Sequence, residues 1–255
     1  MKNFIQSFLF IAVFVPCKFH AQIEISDDKK IKNTESIADT TTKKQRPERK
    51  NVDGSTEVFF SSAWSSSYRK LIPNEDFLPK ELGIHADEAP LKIWSYGVGF
   101  RSYVHKHIVF EGGLSLLRNG ESYSFKGEDS TFTSKSIYTY VSVPIRLQYV
   151  IGDQIRFFAG GSFFPEIINR YKETSEWTNK KNETKSIVSK DKQALNSMVF
   201  SAGLNAGVQA KLGKYMSVFV MPEYRWQLTS SYTKLNYYKH FARVFSVNFG
   251  LIYQL

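Results

Sequence analysis

From about Glu57 onward, apolar and polar residues alternate with a period of two in eight separate runs, the mark of half-buried strands rather than helices. The last run shows it best. In Arg243 to Leu255, Phe245, Val247, Phe249, Leu251, Tyr253 and Leu255 share one face, and Ser246, Asn248, Gly250 and Gln254 the other. The sixth run sets Met198, Phe200, Ala202, Leu204, Ala206, Val208 and Leu212 against Ser201, Gly203, Asn205, Gly207, Gln209 and Lys211. The seventh sets Met216, Val218, Val220, Tyr224, Trp226 and Leu228 against Ser217, Glu223, Arg225, Gln227 and Thr229. Lys92 to Val104, Ile108 to Arg118 and Ile137 to Ile151 obey the same parity. The first run, Glu57 to Arg69, is serine-rich, with Val58, Phe60, Trp64 and Tyr68 on one face. The fifth, Ile155 to Tyr171, is apolar on both faces near Phe157, Phe158, Phe163 and Phe164, so alternation does not orient it.

The connections decide the architecture. Strands two to three, four to five and six to seven are joined by little more than His105-Lys106-His107, Gly152-Asp153-Gln154 and Gly213-Lys214. The other four connections are long and charged: Lys70 to Leu91, Asn119 to Ser136, Lys172 to Asn196, and about Ser230 to Ala242. Short turns on one side and long, mobile loops on the other predict an all-β, eight-stranded antiparallel up-and-down transmembrane β-barrel over residues 57–255, monomeric in the outer membrane of a bacterium. Each run reaches the roughly 9–11 residues that a tilted strand needs to cross the hydrocarbon. The rival is a secreted lipocalin-like cup, also eight-stranded but with its apolar face inward around a ligand. Gly, Ser and charged residues crowd the polar face here, and Trp, Tyr and Phe gather toward strand ends on the apolar one, which favours the membrane barrel.

Composition adds limits. A mean hydropathy of -0.32 excludes a helical membrane protein but not a barrel, whose two faces average to a nearly polar sum. Residues 1–21 read as a cleaved signal peptide: Lys2, an apolar run from Phe4 to Val15, and Ala21 as the cut. Cys17, the only cysteine, would leave with it. Residues 22–56 are polar and charged and predict a disordered periplasmic arm, either a spacer or a contact for an envelope partner. The net charge of +10 is spread over tail and loops among Asp and Glu, without an RNP-like strand or recognition helix, so nucleic acid is not expected as a partner. Loop lysines facing the phosphates of lipopolysaccharide are the sharper reading of that charge.

The polar face carries Arg101, Glu111, Arg146, Glu223 and Arg225. A turn centred on Lys106 places Arg101 directly opposite Glu111, so the two should pair across strands. An eight-stranded barrel is just wide enough for its side chains to fill, so these charges are expected to form a structural lumen network rather than line an ion or proton path. No catalytic residue, cofactor site or metal site is expected. His85, His105, His107 and His240 all fall in predicted loops or turns, and none sits beside a Ser with a third orienting group.

The segment Y-V-S-V-P-I-R-L-Q-Y from Tyr140 to Tyr149, with Pro144 inside it, resembles a strand of the Bacteroidetes-type outer-membrane β-barrel domain. The stretch from Phe200 to Leu228, with G-L-N-A-G-V-Q-A-K-L-G and P-E-Y-R-W-Q-L, is similar to the end of that domain. The resemblance implies an eight-stranded barrel inserted by the outer-membrane assembly machinery. The expected role is structural or interactive, through extracellular loops or the periplasmic arm; the alternative is a PorT-type barrel subunit of a protein secretion assembly.

Overall fold

The computed structural model describes residues 56–75, 88–128, 130–181 and 183–255. The predicted signal peptide, nearly all of the predicted arm, and His85 lie outside them. The elements are β1 (Thr56–Pro73), β2 (Glu88–His105), β3 (Ile108–Lys126), β4 (Ser130–Ser142), β5 (Ile145–Gly152), β6 (Ile155–Asn179), β7 (Thr184–Ser189), β8 (Met198–Lys211), β9 (Met216–Gln227) and β10 (Tyr238–Gln254). Every pairing is antiparallel, and β10 pairs with β1 to close the sheet. β4 and β5 are two halves of one barrel strand. Both pair with β3 and β6, and Val143-Pro144 separates them because proline has no N–H for the ladder. The ring therefore has eight strands, with β7 a flap hydrogen-bonded to the outer part of β6.

The register fixes the size of the barrel. Val58 pairs with Phe100, and the ladder continues through Gly112, Ile145, Phe163, Ala202, Trp226 and Arg243 to reach β1 again at Tyr68. A return ten residues along the strand gives a strand tilt of about 40° and a backbone radius of about 8 Å. Such a cylinder has no room for an open channel once its side chains are placed.

The faces sort as a membrane barrel requires and a lipocalin-like cup forbids. Val98, Leu114, Leu147, Leu204, Val220 and Leu251 are exposed on the outside, while Arg101, Glu111, Arg146, Gln209, Glu223 and Arg225 are buried inside. The outer belt on β10 runs from Phe245 to Tyr253, nine residues. Toward the short turns it carries Tyr149, Phe157, Tyr215 and Tyr253; toward the long connections it carries Trp64, Tyr68, Trp94 and Tyr224. The interior is not charged throughout. Phe59, Tyr103, Val109, Val150, Phe158, Phe219, Met221 and Ile252 form an apolar cluster toward the short turns. Leu117, Tyr138, Tyr140, Phe164, Tyr171 and Val199 form another toward the long connections. Lumen glycines make room for these rings. A Cβ on Gly99 would lie 2.8 Å from the Phe59 ring, and one on Gly250 2.8 Å from the Phe219 ring and 2.0 Å from the Phe60 carbonyl oxygen.

The structure corrects the long connections. Most of Asn119 to Ser136, read as a loop, is a β3–β4 hairpin paired out to Lys126 and Thr131. Much of Lys172 to Asn196 is the end of β6 plus β7, and β10 begins at Tyr238. Alternation fades beyond the belt because both faces meet water, yet backbone pairing continues. The fifth run also acquires its parity: Phe157 and Phe163 face outward, Phe158 and Phe164 inward.

Candidate functional site

Two polar assemblies occupy the interior. The first is in the barrel's middle and contains the five residues singled out from the sequence. Arg101 and Glu111 are direct cross-strand partners, with Nε and Oε2 3.4 Å apart. Arg146 bridges Glu111 and Glu223, meeting the second at 3.0 Å. Arg225 faces Glu166 at 3.7 Å rather than its strand neighbour Glu223, and donates to Asn119 Oδ1 at 2.6 Å. The guanidinium carbons of Arg146 and Arg225 both lie 5.4 Å from the centroid of the Phe164 ring. Amides complete the lattice: Arg101 donates to Gln209 at 2.9 Å and Gln148 at 3.0 Å, and Gln148 to Asn205 at 2.9 Å.

Several members of this lattice escaped sequence reading. Glu166 and Arg156 lie on the fifth run, whose faces could not be told apart. Glu57, 3.5 Å from Arg156 and 3.9 Å from Arg101, sits at the ragged start of the first. Gln148, Asn205 and Gln209 were on the polar face but carry no charge to mark them.

The second assembly stands at the long-connection end, above the belt. Outward-pointing Arg118 and Lys135 mark the belt's end on β3 and β4, and Glu121 lies inward beyond them. Tyr138 donates a 3.0 Å hydrogen bond to Glu121 Oε1, while His240 Nε2 is 3.1 Å from Oε2 and Arg69 Nη1 3.7 Å from Oε1. Burial opposes the Glu121 charge, but His240, Arg69 and Tyr138 outweigh it and hold its carboxyl below the ordinary range. His240 is a correction: read as a loop residue, it is on β10 and 1 % exposed, enclosed by the Tyr138 and Tyr232 rings at 5.1 and 4.9 Å. Its Nδ1 has no hydrogen-bond partner, and Ser231 nearby spends its hydroxyl on Gln227 and Tyr140.

Above this pair opens a cleft of about 280 Å³, lined by Arg69, Glu121, Tyr123, Phe132, Ser134, Ser136, Tyr171, Glu173 and Tyr232. A second cleft of about 210 Å³ shares Arg69 and Glu121 as its wall and adds Tyr68, Glu88, Ala89 and Pro90. Arg69 clamps Glu88 with two bonds of 2.7 and 3.0 Å. Tyr171 donates to Glu173 at 2.9 Å. Burial pushes the Tyr171 and Tyr232 hydroxyls up, so both remain protonated donors at neutral pH. Phe132 packs between Tyr123 at 6.1 Å and Trp177 at 4.7 Å, an aromatic ladder across β3, β4 and β6. Nothing in the sequence marked this cleft, because all its lining residues but Arg69 and Tyr171, which end the first and fifth runs, come from segments read as loops.

The other described histidines, His105 and His107, are at the opposite end. His105 closes β2, and His107 in the turn lies 3.1 Å from the Val150 carbonyl oxygen and packs on Tyr149 at 5.6 Å. Among the described residues no three His, Cys, Asp or Glu side chains gather to hold a metal ion.

No family model matches the chain, and no curated protein matches it. Solved structures do. Ail, the attachment invasion locus protein of Yersinia pestis, aligns at 13% identity over 80% of this chain and 99% of its own, with a TM-score of 0.35. Neisserial surface protein A aligns at 9% identity over 78% and 97%, TM-score 0.40. The outer membrane protein OprG of Pseudomonas aeruginosa aligns at 10% identity over 80% and 96%, TM-score 0.41. The barrel assignment here rests on the chain's own closed register.

Proposed function

We propose that this chain is a bacterial outer-membrane barrel that carries no solute and instead anchors a binding platform at the cell surface. The observation that carries the reading is the cleft: it sits on a lumen filled by Tyr138, Tyr140 and Phe164, each at most 1 % exposed, and its walls are strands continued past the apolar belt. A transporter would need the lumen open; a binding protein needs only a rigid floor.

The cleft end is the outer one. Both ends of the described barrel, Thr56 and Leu255, meet on the short-turn side, where the Leu255 amide donates to the Thr56 carbonyl at 3.1 Å. Outer-membrane barrels keep that side periplasmic. Just beyond the aromatic girdle at the cleft end, Lys70, Lys92, Arg118, Lys135, Lys172 and Arg243 point outward, with Lys92 lying over the Trp64 ring. These cations are level with the headgroups and suit the phosphates of lipopolysaccharide. Residues 1–21 serve as the export signal, residues 22–56 as a periplasmic arm, and the assembly machinery inserts the barrel.

The role is binding rather than catalysis. Among the described residues the His–carboxylate pair near the cleft is His240 and Glu121, and it keeps its imidazole sealed beneath the floor with no hydroxyl nucleophile on Nδ1. Membership of the Bacteroidetes-type barrel domain family is supported by the motifs in Tyr140 to Tyr149 and Phe200 to Leu228. A PorT-type subunit of a secretion assembly is the second reading, favoured by the bare apolar side chains of Ile187 and Val188 on the β7 flap.

The test uses Ser186→Cys on β7, an exposed position. A membrane-impermeant maleimide should label intact cells producing this variant. Labelling only after lysis would refute the surface platform.

A further inference from the structure

We propose that the cleft is a carbohydrate site for an uncharged sugar unit; this rests on the platform reading above and names its ligand class. Three features select that class together. The first is charge. The walls of the two clefts carry Glu88, Glu121 and Glu173 against Arg69, so a phosphate, sulfate or carboxylate group meets net repulsion. The same balance does not repel an ammonium group, so charge excludes anions and the next two features choose the neutral ligand. A ligand without formal charge avoids the anion's penalty.

The second feature is the mixture of donors and acceptors. Glu173 accepts from Tyr171 at 2.9 Å and weakly from Ser134 at 3.4 Å, which leaves its carboxylate with further lone pairs to offer. Ser134, Ser136 and the Tyr232 hydroxyl stand around the same space. Sugar hydroxyls donate and accept at once, so a wall of carboxylates, hydroxyls and a guanidinium satisfies adjacent pairs of them, whereas an apolar ligand would strand these groups. The third is the aromatic ladder. Tyr123 and Phe132 line the cleft, with Trp177 packed on Phe132, and the electron-rich ring faces match the polarised C–H face of a pyranose. A volume of about 280 Å³ is near the lower end of the roughly 300–1,000 Å³ of ligand pockets and suits one or two sugar rings.

The experiment uses the full-length protein, purified in mild detergent and applied to a printed glycan array bearing neutral, sialylated, sulfated and phosphorylated glycans. Neutral hits are then titrated in solution by tryptophan fluorescence, with spermidine and sucrose octasulfate as cationic and anionic controls. Trp64, Trp94 and Trp226 are on barrel strands with their rings outside, so Trp177 is the reporter at the cleft. The expected result is saturable binding of neutral glycans, weakened about tenfold or more by Glu173→Gln and by Phe132→Ala. Both variants should keep the heat-modifiable gel migration of the folded barrel. No neutral hit, a preference for either charged control, or neutral binding unchanged in both variants would overturn the proposal. Surface labelling at Ser186→Cys reports separately: labelled cells with no sugar binding would defeat only the sugar assignment, and unlabelled cells would defeat the platform.

Discussion

Arg146 is the side chain whose removal should cost the barrel most. It stands between two carboxylates, Glu111 and Glu223, which are 5 % and 4 % exposed, and stacks over Phe164. Arg146→Met keeps the length and the packing on Phe164 but leaves both carboxylates short of a cation. Glu111 would retain only the 3.4 Å contact with Arg101 Nε, and Glu223 only the 3.3 Å bond from Ser162. Removing one partner of a buried ion pair costs about 3–5 kcal/mol, mostly the penalty of the stranded charge. The triple variant Arg146→Met, Glu111→Gln, Glu223→Gln strands neither carboxylate and leaves Arg101 to Glu57 at 3.9 Å, so it should recover part of that loss, since a buried ionic cluster is often no more stable than a neutral replacement. Urea unfolding of the barrel refolded into lipid vesicles, followed by tryptophan fluorescence and heat-modifiable migration, measures both. An unchanged slope with a shifted midpoint would assign the change to stability. If Arg146→Met costs less than about 1 kcal/mol, or the triple variant is no better than the single, the lattice is not what holds the lumen closed.

Three further outcomes are expected. Glu121 is held below its ordinary value of 4.5, so its ion-paired form contributes stability that is fully present above that pH and is lost as pH falls through the lower, folded value; the drop in unfolding midpoint between pH 7 and strongly acidic pH should shrink in Glu121→Gln, and an equal drop would refute the assignment. Gly250→Ala would drive a methyl against the Phe60 carbonyl and the Phe219 ring at the closing seam between β1 and β10, and should destabilise the barrel by about 1–3 kcal/mol in the same urea assay. Planar-bilayer recordings should show no stable, large openings, because the lumen is packed from the Phe59 cluster to the Tyr138 cluster; a steady conductance would contradict the filled interior.

How much could be read in advance differs from strand to strand. β8, β9 and β10 alternate cleanly because every outward position must be apolar against lipid, so their parity, turns and pairings were legible. β6 was legible as a strand but not in orientation, since Phe158 and Phe164 fill the interior while Phe157 and Phe163 face outward. That one ambiguity hid Glu166 and Arg156. The cleft was illegible for a related reason. Beyond the belt no apolar environment enforces a period, so Glu121, Phe132, Glu173 and Trp177 read as loop composition even though β3, β4 and β6 continue through them.

The sequence by itself determined that this chain closes eight antiparallel strands into a barrel with polar residues inside, because alternation and the lengths of the connections are local properties. Arg101 opposite Glu111 was also within its reach, since one short hairpin fixes their register. Only the tertiary structure decided what spans the ring. The return of the ladder from Val58 to Tyr68 staggers distant strands so that Arg146 reaches Glu223, 77 residues away, and His240 meets Glu121, 119 residues away. Those encounters depend on the summed register of every pairing around the barrel, and no local pattern carries that sum.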